Sequence, residues 1–549
     1  MTTTIIIKDS IKQLQFQKIK NIFQKLHVHG PNCPCHSVVA GDNSIVNFLK
    51  KDEALVLIKK NKRSFQTLND CGKKNNEKTI ISNNNNNNDR FYSSTMKYDS
   101  DLDYFKNTSK LRMSENSSKY IDSDYAFEMI GSNIRFGKGV TLEVADDLRQ
   151  LSIKNVAIFT DQNLVSIKDS PVWKVCEVLK KNQIHFKLYD RVAIEPTDIS
   201  FKDATKFMLE QGPFEGIVAI GGGSVMDTAK AANLYSTYPP NDFLDYVNAP
   251  IGKGMPVPGP VKPLIAIPTT SGTGSEVTGV AVFDLTSQNF KTGIAHRRLK
   301  PILGLVDPDN TRSCPTNVFV SSGLDQFCHS LESFTALPFN KRSPKPLDPL
   351  QRPSYQGSNP ISDVWALKSL EMIYRNLPLV VKDPTNEYAR SQLLLAATYA
   401  GMGLSAGVHL CHGMSYAISG NVKNFKPDGY LTDHPIIPHG MSVVLSAPAV
   451  FKFTAPANPK RHLMAAEILG ADISQVSEDQ AGDILSNQIR KFISQLNIPN
   501  GLSGVGYDRS DIEKLVLGTL PQHRVTKLSP RPVDKDDFYE LFENSMTIF

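Results

Sequence analysis

The residues best suited to chemistry lie in three short stretches in the second half of the chain. Asp325 and His329 stand four apart in GLDQFCHSLES, a spacing that puts both side chains on one helix face, a turn apart. VHLCHGM supplies His409 and His412, and HPIIPHG supplies His434 and His439, so five of the chain's 12 histidines fall in these three stretches. One carboxylate with three imidazoles offers a hard oxygen and neutral nitrogens. Such a set suits Fe2+ or Zn2+ and leaves a position open for a substrate oxygen. Any one of these histidines could instead be a satisfied core residue; the set gains weight from what lies upstream. A glycine follows both His412 and His439, which suggests close packing around a fixed ring.

Upstream, the apolar run EGIVAI leads straight into Gly221, Gly222, Gly223 and Ser224, then into TAKAANL. Glycines let a backbone turn sharply and approach a ligand, and a following helix N-terminus offers free N–H groups to a pyrophosphate. Ser224 is expected to cap that helix, with Asp227 at the capping-box position. The competing reading is a corner that needs glycine only for packing. The loop is not the GxGxxG of the usual dinucleotide fold. A second polar loop, TTSGTGSE from Thr269 to Glu276, follows PLIAIP, at the strand end where open α/β sheets bind ligands. Asp161, after NVAIFT, could accept from an adenosine ribose hydroxyl and would repel a 2′-phosphate, favouring NAD over NADP. A helix cap is its other reading.

These loops need a scaffold, and the pattern supplies one from about residue 125. Short β-rich runs at 155–160, 185–190, 215–220, 263–268 and 302–307 alternate at first with helical stretches such as 172–181 and 201–211. Alternation of this kind implies a mostly parallel, doubly wound sheet. After about residue 316 the β-rich runs nearly vanish, and 361–376, 387–405, 440–453, 459–469 and 480–496 read as helices. The expected organisation is an α/β nucleotide-binding domain at 125–314 and a helical metal-binding domain at 315–549, with the active site in the cleft between them.

The segment before residue 125 reads differently. Residues 1–124 hold 20 Lys and Arg against 13 Asp and Glu, whereas the remainder holds 41 against 42. A nucleic-acid binder concentrates its positive charge on its folded domain; this chain does not. Residues 1–30 carry five lysines, one acid and an apolar helical face, and read as a mitochondrial transit peptide addressing the matrix. CPCH at 33–36 is spaced too tightly for the usual structural zinc site. The polar stretch at 31–124, with its Asn run at 83–88, reads as low-complexity and disordered. Seven scattered cysteines form no disulfide framework. No window approaches the ~20 apolar residues of a membrane span.

Taken together, GGGSVMDTAK, IAIPTTSGTGSEVT, GLDQFCHSLES, HLCHGMSYAISG and HPIIPHGMSVVL resemble, in order, the signatures of the iron-containing (group III) alcohol dehydrogenase family. The resemblance implies an N-terminal α/β nucleotide domain and a C-terminal all-α metal domain, the architecture shared with dehydroquinate synthase. It implies an oxidoreductase with NAD and a divalent metal, Fe2+ ahead of Zn2+. The ligands it implies are Asp325, His329, His412 and His439. The cofactor contacts would be Gly221 to Ser224 with Asp227, then Thr269, Thr270, Ser271 and Thr273, and Lys291 at the ribose. Many members carry a further histidine where this chain has Tyr416, which leaves the proton relay to Tyr416, His434 or His409.

TTSGTGSEVTGVAVFD, YQGSNPISDVWA and VHLCHGMSYAISG are similar to a mitochondrial transhydrogenase subgroup of that family. The reaction implied is oxidation of 4-hydroxybutanoate to succinate semialdehyde coupled to reduction of 2-oxoglutarate to 2-hydroxyglutarate. The alternative is an NAD-dependent dehydrogenase acting on another small alcohol or hydroxy acid. The partners expected are small hydroxy and oxo acids, with neither nucleic acid nor membrane, and self-association is compatible with the sequence. Lys341, Arg342, Lys345 and Arg352 lie in a Pro-rich interruption at 338–360. If that loop overhangs the cleft, an Arg there could pair with a remote carboxylate.

Overall fold

The computed structural model describes residues 123–129, 131–288, 290–430, 432 and 434–549. The transit-peptide reading, the CPCH cluster and nearly all of the polar stretch lie outside the described residues.

The strands are β1 (Asn133–Phe136), β2 (Asn155–Phe159), β3 (His185–Tyr189), β4 (Gly216–Gly221), β5 (Leu264–Pro268), β6 (Val280–Leu285), β7 (Phe290–Ala295) and β8 (Leu303–Val306). Six form a parallel sheet in the order β1-β8-β5-β4-β2-β3. Every residue of β4 is buried, as is every residue of β5, which is why both read as continuous apolar runs. The helices of this half are α1 (Val144–Gln150), α2 (Gln162–Ser166), α3 (Pro171–Lys181), α4 (Asp198–Gln211) and α5 (Gly223–Thr237). α3 packs Val172, Val175 and Leu179 into one apolar cluster with sheet residues Val156, Ile158, Val218 and Ile220. Val225, Met226 and Ala229 of α5 join Ala157, Phe159, Ile217 and Ala219 in a second. Residues alternating along β2 and β4 thus feed two different clusters, the signature of a sheet covered on both faces.

From β2 the chain goes to β3 on one side and returns to β4 on the other. The carboxyl ends of β2 and β4 therefore flank a topological switch point, the place where such sheets bind ligands. Asp161 follows β2 there, and Gly222 follows β4.

β6 and β7 form a separate antiparallel hairpin, absent from the strands expected above. Only 281–285 of β6 alternate in burial, whereas 291–294 of β7 are buried throughout, and a strand pair outside the main sheet, falling between two parallel strands, breaks the expected βα rhythm.

The second half is helical: α6 (Thr316–Thr335), α7 (Pro360–Lys382), α8 (Glu387–Gly403), α9 (Leu410–Gly420), α10 (His439–Val444), α11 (Ala447–Thr454), α12 (Pro459–Ile468), α13 (Ala481–Ile493), α14 (Ile512–Thr519), α15 (His523–Thr526) and α16 (Lys535–Glu543). The single helix expected at 440–453 is two, broken at 445–446 ahead of Pro448, whose ring suits a helix start. α6 runs through the middle of this half and is buried along most of its length from Phe319 onward. A chemical group on α6 is therefore held by packing on all sides. Among the described residues no helix is long and apolar enough to cross a membrane.

Candidate active site

A cleft of about 470 Å3 is lined by both halves of the chain, with the glycine loop, the second polar loop and the histidine stretches in its wall.

The helix after β4 starts two residues earlier than expected. Gly222 is the N-cap of α5, in an extended conformation with no side-chain cap, so Ser224 lies in the first turn and does not cap it. The first N–H groups of α5 thus carry no side-chain acceptor of their own, and Gly222, Gly223 and Ser224 line the cleft. That is the arrangement of an anion-binding helix start. A Cβ on Gly223 would stand 2.6 Å from Thr273 Cγ2, and one on Gly222 3.1 Å from Thr270 Oγ1. The two loops are packed against each other, and glycine is what permits it. Gly221 ends β4 and does not reach the cleft; its Cβ would strike Val225 at 2.4 Å.

Asp227 is not in a capping box. Its Oδ1 accepts from Ser275 Oγ at 2.6 Å and its Oδ2 from the Val282 backbone N–H at 2.9 Å, so it ties α5 to the second loop and to β6. Thr269, Thr270 and Thr273 line the cleft, whereas Ser271 is fully buried behind it. Its carbonyl accepts from Gln326 Nε2 of α6 at 2.9 Å. Asp161 takes the helix-cap role, accepting from Leu164 N–H at 3.0 Å at the start of α2, and it also lines the cleft. Burial raises its carboxyl above the usual range against the helix N–H groups that lower it. Lys291, on β7, lines the cleft too, but its ammonium is clamped by Glu195 and by Asp284 at 2.9 Å.

At the α6 wall four side chains converge. His329 Nε2, His412 Nε2 and His439 Nε2 lie 3.5, 3.4 and 3.7 Å from the same oxygen, Asp325 Oδ1. Ligand atoms of Asp325, His329 and His412 all fall within 4.8 Å of one another. The His329 and His412 rings stack at 4.8 Å between centroids and 12° between planes. Gly440 makes the fourth approach feasible, since a Cβ there would meet Ser321 O at 1.9 Å and Asp325 N at 2.8 Å. α10 lies directly on α6 for that reason.

The electrostatics fit a cation. Asp325 Oδ1 and His412 Nε2 are buried without a hydrogen-bond partner among the described residues, a costly state for polar atoms. Burial pushes the Asp325 carboxyl up, but His329, His439 and His412 outweigh it and hold it well below the carboxylate range. Burial lowers His329 to about 4, leaving this imidazole neutral, whereas in His412 burial is outweighed by Glu332 and Asp325, which raise the ring to about 9, so binding a cation there would release a proton.

Behind the cluster stands a residue that the motif reading passed over. Glu332, fully buried, accepts from His412 Nδ1 and, through Oε1, from the Cys411 backbone N–H at 2.7 Å. Burial is again outweighed, by His409 and His412, and the Glu332 carboxyl falls to about 2. A carboxylate on the far nitrogen fixes the tautomer and aims Nε2 at the centre. The signal was available: Asp325, His329 and Glu332 follow i, i+4, i+7, one helix face.

The proton-relay candidates separate. Tyr416 lines the cleft, its ring 6.1 Å from that of His439 and nearly parallel, and its Oη accepts from Arg524 Nη2 at 3.1 Å. Burial pushes its phenol up to about 12, with Arg524 pulling the other way. His409 sits behind the cluster, 3.0 Å from Thr335 Oγ1 and 3.4 Å from Glu332 Oε1. His434 is exposed and is not part of the cleft wall; two prolines, Pro435 and Pro438, separate it from the ring of His439 in the cleft. The Pro-rich loop does not overhang the cleft with its basic residues. Tyr355 is what it contributes there, while Arg342 and Arg352 line a second cavity, Arg352 bound to Asp124.

Comparison with known proteins bears on this geometry. The profile described as iron-containing alcohol dehydrogenase matches residues 131–308, and that described as Fe-containing alcohol dehydrogenase family, C-terminal, matches 354–546. A Dictyostelium discoideum protein named "Probable hydroxyacid-oxoacid transhydrogenase, mitochondrial" is 53% identical over the whole of both chains. The Xenopus tropicalis and Homo sapiens proteins named "Hydroxyacid-oxoacid transhydrogenase, mitochondrial" are 56% and 54% identical, over 78% of this chain and 92% and 91% of theirs. Among solved structures, the alcohol dehydrogenase from Oenococcus oeni superposes with a TM-score of 0.66 at 23% identity, covering 76% of this chain and all of that one.

Proposed function

This chain belongs to the iron-containing alcohol dehydrogenase family, and we propose that within it the chain is a mitochondrial hydroxyacid–oxoacid transhydrogenase. The half-reactions are oxidation of 4-hydroxybutanoate to succinate semialdehyde and reduction of 2-oxoglutarate to 2-hydroxyglutarate, the second taking up the hydride and proton that the first releases. Similarity at 53–56% identity over most or all of the chain supports the assignment. The observation that carries it is the convergence of Asp325, His329, His412 and His439 on one point in the wall that also holds the glycine loop.

Those four side chains would hold a divalent metal, Fe2+ ahead of Zn2+, whose contribution is Lewis acidity toward a substrate oxygen. Gly222 to Ser224 with Thr269, Thr270 and Thr273 would hold NAD, which would supply the hydride-carrying ring. The protein does the rest. The N–H groups at the start of α5 would receive the pyrophosphate, and Asp161 would accept from the adenosine ribose. Lys291, neutralised by its two carboxylates, fixes β7 beside the cofactor. Glu332 holds the His412 ring in one tautomer. Tyr416 Oη, protonated at neutral pH, is the group placed to exchange a proton with the substrate oxygen, a role that the exposed His434 is not placed to fill. The segment 1–30 is the matrix-targeting peptide of this proposal.

The test is turnover with both substrates and no external dinucleotide. Purified protein should produce succinate semialdehyde and 2-hydroxyglutarate in equal amounts. Complete dependence on added NAD would instead make it an ordinary dehydrogenase on the same fold.

A further inference from the structure

A second cavity, of about 860 Å3, shares Thr278, Val280, Tyr355 and Leu404 with the wall of the active-site cleft. Among the described residues seven Lys and Arg side chains line it against a single carboxylate, Glu128. Several of these charges are already matched: Arg297 to Glu128 at 2.9 Å, Lys253 to Asp245 at 2.6 Å, and Arg352 to Asp124 at 3.1 Å.

Arg524 differs from those three. It makes no ion pair among the described residues. Its guanidinium lies over the Tyr355 ring at 5.1 Å and its Nη2 donates to Tyr416 Oη. Its Nη1 is buried with no hydrogen-bond partner, and so are Asn248 Nδ2 and Ser405 Oγ of the same cavity. Buried polar groups are paired as a rule, and a guanidinium N–H or an amide NH2 can only donate. The missing partner is therefore an acceptor, and the unmatched charge makes it an anion. A carboxylate presents two oxygens in the plane that a guanidinium fork matches.

We infer that this cavity is a carboxylate subsite, in which Arg524, with Asn248 and Ser405, receives the substrate carboxylate remote from the reacting carbon. The inference rests on the proposed function for the identity of the substrates and deepens it by naming what selects them. Both 4-hydroxybutanoate and 2-oxoglutarate carry such a carboxylate, so one anchor serves both half-reactions. Tyr416, which touches Arg524 on one side and faces the cleft on the other, marks where the carbon chain passes from one cavity to the next.

The probe is glutarate, a dicarboxylate with no oxidisable or reducible carbon. Its binding to the holoenzyme is measured by calorimetry for the natural sequence and for Arg524→Gln, Arg524→Lys, Asn248→Ala and Ser405→Ala. KM values are measured alongside for 4-hydroxybutanoate and for uncharged 1,4-butanediol. Arg524→Gln is expected to weaken glutarate and raise KM for the hydroxy acid by about 10- to 100-fold, at least about tenfold more than it raises KM for the diol, while any loss of kcat through the Tyr416 Oη contact is common to both substrates. Arg524→Lys recovers part of the loss, and the Asn248 and Ser405 variants lose less, in the same direction.

Unchanged glutarate binding, equal losses for acid and diol, or glutarate that binds without competing with 2-oxoglutarate would each overturn the subsite. Should Arg524→Gln fail to fold, full glutarate affinity in both Asn248→Ala and Ser405→Ala overturns it as well. Glutarate held through Arg524 in a protein that does not turn over without added NAD supports the subsite and removes the transhydrogenase reading. Transhydrogenation with glutarate affinity indifferent to all four variants does the reverse.

Discussion

Glu332 and His412 form the contact that orients the metal-facing cluster: the carboxylate takes the Nδ1 hydrogen, and Nε2 of the same ring then faces Asp325 Oδ1 at 3.4 Å. Both residues are almost fully buried, so neither water nor another side chain competes for the contact. Glu332→Gln keeps an acceptor oxygen but removes the charge. Metal affinity should fall about 10- to 100-fold, read by chelator competition, while the circular dichroism spectrum is unchanged. An unaltered affinity would make Glu332 a packing residue only.

Gly440 sets the distance between α10 and α6. A methyl group at this position meets Ser321 O at 1.9 Å and the Asp325 backbone at 2.8 Å, both backbone atoms that cannot rotate away. Gly440→Ala is expected to displace His439, lower the bound metal per chain and destabilise the fold by about 1–3 kcal/mol. Elemental analysis and thermal unfolding measure the two effects; retention of full metal content would show that the helix pair can shift without opening the site.

The two cofactor loops offer a paired test. Gly223→Ala brings a Cβ to 2.6 Å from Thr273 Cγ2 and 2.8 Å from its Oγ1. The single variant should lose stability and bind NAD at least about tenfold more weakly. Adding Thr273→Ala removes both clashing atoms, so stability should return in the double variant while NAD affinity stays low. Independent, additive losses of stability would contradict the contact between the loops.

His462 gives a pH signature away from the active site. It is buried, its Nδ1 2.8 Å from Asn458 O and its Nε2 2.9 Å from Thr454 Oγ1, and burial lowers it to about 4. In the unfolded chain it titrates near ~6.5. Below that pH the unfolded state takes up a proton that the folded state refuses, so stability present above about pH 6.5 is lost as the pH falls toward 4. One such proton is worth about 1.4 kcal/mol per pH unit. His462→Gln should flatten the dependence of unfolding free energy between about pH 4.5 and 6 by up to that slope, and parallel curves for the two proteins would count against it.

The parts of this site that could be read in the sequence are those in which residue type and spacing are themselves the mechanism. Asp325 and His329 share a helix face by arithmetic, and a strand running into three glycines and a helix has few other uses. What was hidden depends on contacts between distant segments. Asp227 has the sequence position of a cap, but Ser275 and the Val282 N–H, 48 and 55 residues away, claim its oxygens. Ser224 looked like an N-cap because capping rules favour Ser, yet tertiary packing of Gly222 against Thr270 starts the helix earlier. Of the two histidines in HPIIPHG, only His439 is followed by a glycine, and the fold exposes His434 while it turns His439 into the cleft. Arg524 belongs to no motif at all; its importance lies in an unpaired Nη1.

The most direct measurement is anomalous diffraction from crystals of metal-loaded protein, at the iron and zinc edges. One peak per chain should stand at coordination distance, about 2.0–2.2 Å, from Asp325 and from the Nε2 atoms of His329, His412 and His439. A peak elsewhere in the chain, or a bound ion that leaves any two of these four side chains unengaged, would contradict the assignment.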